Sequence, residues 1–211
     1  MKAEEVMKRL REGATVALVS DAGTPGISDP GAVVVSMALD EGIDVIPIPG
    51  PSALAAAMSV CGLSTEEFTF MGFLPSKQGA RKRRLKELSH EARTLVFYES
   101  PHRIVDMMID MEEAFGKERE AALFKELTKI HETVYRGTIS DVLDMLEEEV
   151  IAGEYVVVVE GMKREEAGID EALAEMSSLM KKGLGRKEAA KTVAEQYGIS
   201  KNELYDKSLG K

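Results

Sequence analysis

Apolar positions along the chain recur with two periods. Val6 and Leu10 sit at helical spacing, stop at Gly13 and lead into the apolar run Thr15 to Val19, which has the pattern of a buried strand. A loop rich in Gly, Pro and Asp follows, then an apolar helix from Ala32 to Leu39, a second strand from Ile43 to Ile48 and a helix from Pro51. The prediction is a β-α-β-α unit with a parallel sheet. Two parallel strands cannot hide both their faces or stand as a domain, so the pattern implies that this unit lacks sheet partners.

A second unit starts at Glu67. It reads as strand Phe68 to Phe73, a basic helix, strand Thr94 to Tyr98, and a helix whose Ile104, Met108, Met111 and Phe115 share one face. Strand Ala121 to Leu127, strand Thr133 to Gly137, a helix around Leu143 and Leu146, and strand Tyr155 to Val159 complete an α/β domain. Beyond Gly161 the chain turns helical and charged. It ends in two short helices about a turn at Gly198, where Ser200 and Glu203 have the spacing of a capping box. The expected division is 1–64, 65–162 and 163–211.

Composition narrows the function classes. Thirty-seven acidic residues against 27 basic ones give a net charge of -10, which disfavours non-specific nucleic-acid binding by the surface as a whole. A local basic cluster therefore stands out: Lys77, Arg81, Lys82, Arg83, Arg84 and Lys86 lie within ten residues, on a helix that Leu85 and Leu88 can anchor. Such a run is either a solvated helix face or a phosphate contact. A single cysteine, Cys61, excludes an internal disulfide and fits a reducing compartment, so the expected location is the cytoplasm. No stretch has the length of a membrane span. His90, His102 and His131 lack metal-ligand spacing, and no metal is expected.

Three loops at strand ends carry candidate chemistry. The first, Ser20 to Gly31, joins a strand to a helix at the edge where open α/β sheets bind ligands. Asp29 and Pro30 explain its helix start, while its glycines serve either a ligand loop or a tight turn and match no nucleotide fingerprint. The second is Pro47 to Ser52, on the same edge. The third is Tyr98-Glu99-Ser100-Pro101-His102-Arg103, in which capping explains Ser100 and Pro101 but leaves Glu99 and Arg103 as candidates. A further cluster, Glu126 to Glu132, mixes acid, base and imidazole between two strands.

These segments resemble the tetrapyrrole methylase superfamily, and within it the 16S ribosomal RNA cytidine 2'-O-methyltransferase family. The resemblance rests on VALVSDAGTPGISDPG (Val16 to Gly31), PGPSA (Pro49 to Ala53), GFLPSK (Gly72 to Lys77), LVFYESPHR (Leu95 to Arg103), KELTKIHE (Lys125 to Glu132) and GEYVVVVEG (Gly153 to Gly161). It implies a two-domain α/β class III methyltransferase with a helical C-terminal extension, an S-adenosylmethionine cofactor bound between the domains, and a homodimer. By resemblance, Asp21, Ala22, Gly23, Thr24, Pro25, Ser28 and Ser52 line the first-domain side of that cleft, and Tyr98 and Glu99 reach it from the second. Glu99, Lys129 and His131 are the candidates for removing the ribose proton. Lys77, Arg81, Lys82, Arg83, Arg84 and Arg103 are the expected contacts to 16S rRNA or the small ribosomal subunit.

Family members carry further β-α elements before the helix that begins here at Met1. Their absence agrees with the unpartnered two-strand sheet, and the expectation is a fragment, a mis-started frame or a split protein with an incomplete first domain. The alternatives are methylation of a tetrapyrrole or another small substrate, and a truncated, non-catalytic RNA-binding protein.

Overall fold

The computed structural model describes residues 3–147, 149–162, 169–198 and 200–209. They form two compact units, Met1–Gly161 and Met162–Lys211. The first opens with helices α1 (Ala3–Arg11), α2 (Ala32–Asp40) and α3 (Ala53–Val60). Then come β1 (Phe68–Phe73), α4 (Gln78–Leu88), β2 (Thr94–Glu99), α5 (Ile104–Phe115), β3 (Glu120–Lys125), β4 (Thr133–Thr138), α6 (Ile139–Glu147) and β5 (Tyr155–Val159).

The five strands make one sheet in the order β1-β2-β5-β3-β4. Helix α4 is the crossover between the parallel pair β1 and β2, while β5 runs antiparallel to both of its neighbours and β4 antiparallel to β3. Tyr155 to Val159 are all buried, as a strand covered on both faces requires. Alternation along β2 sorts its side chains: Leu95 and Phe97 pack with α4, α5 and α6, whereas Val96 and Tyr98 pack with α3 on the other face. Ile104, Met108, Met111 and Phe115 are buried together as their spacing predicts, and so are Leu85 and Leu88.

Two predicted strands do not form. Among the described residues, Thr15 to Val19 and Ile43 to Ile48 take part in no sheet, and Val19, Ile46 and Ile48 are 81%, 77% and 81% exposed. A strand's amides and carbonyls need a neighbouring strand, and neither run has one. The strand expected to reach Leu127 ends at Lys125, because Glu126 (φ 53°) and Thr128 (φ 66°) turn the backbone out of the ladder.

The basic helix α4 is turned partly inward. Arg81 is 2% exposed and its Nε donates to Asp110 Oδ2 of α5 at 2.6 Å. Gln78 and Lys82 approach the same carboxylate, and Lys82 also pairs with Glu113. Two of the six cations are thus engaged in holding α4 to α5.

The second unit packs α7 (Ile169–Lys181), α8 (Arg186–Tyr197) and α9 (Lys201–Lys207) around Ala172, Met176, Ala189, Ala190, Val193, Ala194 and Leu204. Ser200 precedes α9 without a side-chain capping bond, and the Glu203 side chain lies outside the described residues.

Removing one partner of a buried ion pair strands the other charge. Asp110→Ala should therefore lower the unfolding free energy by about 3–5 kcal/mol, and Arg83→Ala, on the exposed side of α4, should change it by less than about 0.5 kcal/mol. Urea denaturation followed by circular dichroism measures both. A loss below about 1 kcal/mol for Asp110→Ala would mean that the pair stays hydrated in solution.

Candidate active site

The end of β2 reaches the start of α3 through one side chain. Tyr98 Oη accepts a hydrogen bond from the Leu54 N–H at 3.0 Å. Its ring lies edge-on to Phe70 and Phe73, with centroids 4.8 Å and 5.9 Å away. Phe70 and Phe73 sit three apart on β1, where strict alternation puts them on opposite faces. A register irregularity between Phe70 and Gly72 brings both to Tyr98. Burial raises the phenol pKa, against the Leu54 N–H that lowers it, and the Asp29 charge raises it further. The hydroxyl keeps its proton, and having accepted from Leu54 it is free to donate.

The first two loops close around the same helix start. Thr24 Oγ1 donates to the Pro51 carbonyl at 3.0 Å, and Ser20 Oγ lies 3.2 Å and 3.3 Å from the carbonyls of Ala22 and Gly23. Ser52 caps α3, its Oγ accepting from the Ala55 N–H at 3.4 Å. Ser28 stands in the left-handed region (φ 57°) with Oγ against Gly72, so close that a β-carbon there would come within 2.9 Å of it. Asp21, Ala22 and Gly23 are exposed on this loop and Pro25 is half-buried. At its other end α3 is fixed by Arg136, which donates to the Val60 carbonyl at 2.7 Å.

Glu99 does not join this group. Successive strand residues face opposite ways, and Glu99 points to the α5 side of the sheet. There its Oε1 accepts from the Ser100 N–H (2.7 Å), the Ser100 hydroxyl (3.2 Å) and Arg103 Nε (2.9 Å). It is 2% exposed, and its Oε2 is buried without a hydrogen-bond partner among the described residues. Glu99 and Arg103 thus pin the turn into α5, with the Glu99 carboxylate on the face of the sheet opposite Tyr98 and the Arg103 guanidinium ion-paired to it.

Glu126 to Glu132 leave the sheet at the same edge, since Glu99 and Lys125 are both in register with Tyr155. Lys129 Nζ donates to Glu126 Oε1 at 2.8 Å and to Glu154 Oε2 at 3.0 Å. Glu126 raises the Lys129 pKa, with Glu154 adding to it, and Lys129 in turn lowers that of Glu126. Lys129 is a fixed cation and a poor proton acceptor. His131 is exposed, and its ring makes no hydrogen bond among the described residues.

The predicted RNA contacts divide. Arg81 is buried and Lys82 paired, Arg84 binds Glu87 at 2.8 Å, and Lys77, Arg83 and Lys86 are exposed with no ion pair among the described residues. No group of three or more His, Cys, Asp or Glu among the described residues is placed to hold a metal ion. No described helix is long and apolar enough to cross a membrane.

The family model for tetrapyrrole (corrin/porphyrin) methylases matches residues 2–143. The chain belongs to the tetrapyrrole methylase family. This methylase is 46% identical over 205 residues to Ribosomal RNA small subunit methyltransferase I of Xylella fastidiosa, covering 96% of this chain and 75% of that one. It is 41% identical to the protein of that name from Synechocystis sp. (99% and 76% covered) and 40% identical to that from Escherichia coli O157:H7 (99% and 73%). Among solved structures, the methyltransferase CobJ superposes with a TM-score of 0.56 at 17% identity, covering 75% of this chain and 70% of that one. Uroporphyrin-III C-methyltransferase from Thermus thermophilus, complexed with S-adenosyl homocysteine, gives 0.51 at 16% identity, over 73% and 70%.

In this methylase the 126–132 loop depends on a glycine across from it. Gly153 (φ 82°) has no room for a β-carbon, because the Glu126 side chain fills that place while accepting from the Glu154 N–H. Gly153→Ala should destabilise the loop by about 1–2 kcal/mol through the forced positive φ. Trypsin cleavage after Lys129 should then run roughly five- to thirtyfold faster under native conditions. An unchanged cleavage rate would show that the loop is held by something else.

Proposed function

We propose that this chain is an S-adenosylmethionine-dependent methyltransferase that modifies small-subunit ribosomal RNA at the ribose 2'-oxygen of a cytidine. The observation that carries the reading is 40–46% identity along nearly the whole chain to proteins named for that RNA. The first-loop residues Asp21, Ala22, Gly23, Thr24, Pro25 and Ser28, with Ser52 and Tyr98, are the cofactor contacts. They fit such a group: the Thr24–Pro51 bond fixes the two loops together, nothing lies within 4 Å of the place a Gly23 β-carbon would take, and Tyr98 has a proton to donate. Residues 1–64 and 65–162 supply the two walls, and 163–211 form the helical extension.

When bound, the cofactor supplies a methyl group activated by a sulfonium centre. The protein's part is to hold the ribose oxygen in line with that methyl group, which accounts for much of the rate, and to take its proton, worth roughly 10²–10⁴-fold. His131 is the proton acceptor in this reading, because Lys129 is already protonated and paired and Glu99 is sealed on the opposite face. Lys77, Arg83, Arg84 and Lys86 meet RNA phosphates. The working form is a homodimer, in the cytoplasm where small subunits are found.

Incubating the protein with methyl-labelled S-adenosylmethionine and small ribosomal subunits tests this directly. A 2'-O-methyl group removes the nucleophile of alkaline RNA cleavage, so the label should be recovered in an alkali-resistant dinucleotide. Gly23→Val should abolish incorporation by filling the cofactor's place. Label in an alkali-sensitive nucleotide, or on a tetrapyrrole and not on RNA, would overturn the reading.

A further inference from the structure

Strand β1 carries an extra residue. Its pairing with β2 steps from Phe70 opposite Val96 to Gly72 opposite Phe97, so Met71 is passed over, and Gly72 takes the left-handed φ of 61° at that step. Such a bulge turns every later side chain to the other face of the sheet, and here it decides between two neighbours. Leu74 is buried with Leu85 and Leu95, while Phe73, in register with Tyr98, is left 51% exposed. Unbroken alternation would put Phe73 on the α5 side, and burial favours the larger ring inside. Bulges recur beside active sites because they re-aim a side chain. The re-aimed ring stands edge-on to Tyr98 with centroids 5.9 Å apart, and the Ser28 hydroxyl of the first loop lies against Gly72 next to it.

We propose that the open face of Phe73 is a stacking platform for a base of the RNA substrate. The inference rests on the rRNA reading above and deepens it. Single-stranded nucleic acid is held by aromatic rings that stack its bases beside cations that meet its phosphates. Both features lie on one segment here. Lys77 follows Phe73 by four residues, a span of at most about 14 Å, and the buried Leu74 anchors the link between them. Lys77 is exposed with no ion pair among the described residues, and Arg83 and Lys86 of α4 are exposed behind it. Because Phe73 flanks Tyr98 of the proposed cofactor wall, a base stacked there belongs to the nucleotide being methylated or to its neighbour. Phe68 provides the contrast: it lies at the far end of the same strand, opposite Thr94, and is 43% exposed.

The test uses the full chain and two labelled probes read by fluorescence anisotropy: a single-stranded cytidine oligomer and an abasic ribose-phosphate oligomer of the same length. Wild type should bind the cytidine oligomer more tightly. Phe73→Leu keeps an apolar contact to Tyr98 but removes the flat face, so it should weaken binding of the cytidine oligomer roughly five- to thirtyfold and leave the abasic one unchanged. Phe73→Tyr should restore the difference, Phe68→Leu should match wild type, and Arg83→Ala should weaken both probes alike. Calorimetric S-adenosylhomocysteine binding by Phe73→Leu should stay within about twofold of wild type. If Phe73→Leu matches wild type on the cytidine oligomer, or loses affinity for both probes equally, the platform is overturned while the rRNA reading stands. A loss of S-adenosylhomocysteine affinity with RNA affinity intact overturns it too, by giving the ring to the cofactor's adenine. A wild-type protein that binds the cofactor product but neither probe nor a small-subunit rRNA hairpin would overturn the rRNA reading itself.

Discussion

The hydrogen bond from the Leu54 amide to the Tyr98 hydroxyl joins the sheet of this methylase to the loops that precede it. Tyr98 reaches α3 only because β2 alternates, because β5 and β1 flank β2, and because the irregularity in β1 brings Phe70 and Phe73 onto one face to hold the ring. Helix α3 then positions Ser52 and Pro51, and Pro51 accepts from Thr24 of the first loop. Each step depends on the one before. The chain of contacts runs from the buried strands to exposed residues whose own loop has no regular structure.

The same alternation that brings Tyr98 to this side sends Glu99 to the other. The family resemblance implies that both reach the cleft, and in the structure their side chains lie on opposite faces of the sheet. One contributes a hydroxyl to the candidate site, the other an anchor for α5. In the loop between β3 and β4, Lys129 is held by two carboxylates and the His131 ring makes no hydrogen bond among the described residues, which separates three residues that sequence alone could not rank.

Much of the fold between Phe68 and Val159 was legible in the sequence, because those elements bury one another and hydrophobic period reports burial. The runs Thr15 to Val19 and Ile43 to Ile48 misled for the same reason: their apolar pattern specifies a strand only when another strand lies alongside. The motif loops were legible as positions but not as contacts. The irregularity at Gly72, the left-handed Ser28 and the Thr24–Pro51 bond leave no periodic signal. Charge was the least legible feature, since a run of cations looks alike whether it meets solvent or, as at Arg81, a buried aspartate.

Tyr98→Phe tests with the least disturbance whether Tyr98 sets the geometry of the proposed cofactor site, because the ring keeps its place between Phe70 and Phe73. Losing the hydroxyl unpairs the Leu54 amide at the start of α3, at a cost of about 1–2 kcal/mol. Calorimetric titration with S-adenosylhomocysteine should show affinity weakened roughly five- to thirtyfold with the unfolding cooperativity retained. Affinity within about twofold of wild type would mean that Tyr98 does not shape the site and that the cofactor binds elsewhere in the fold.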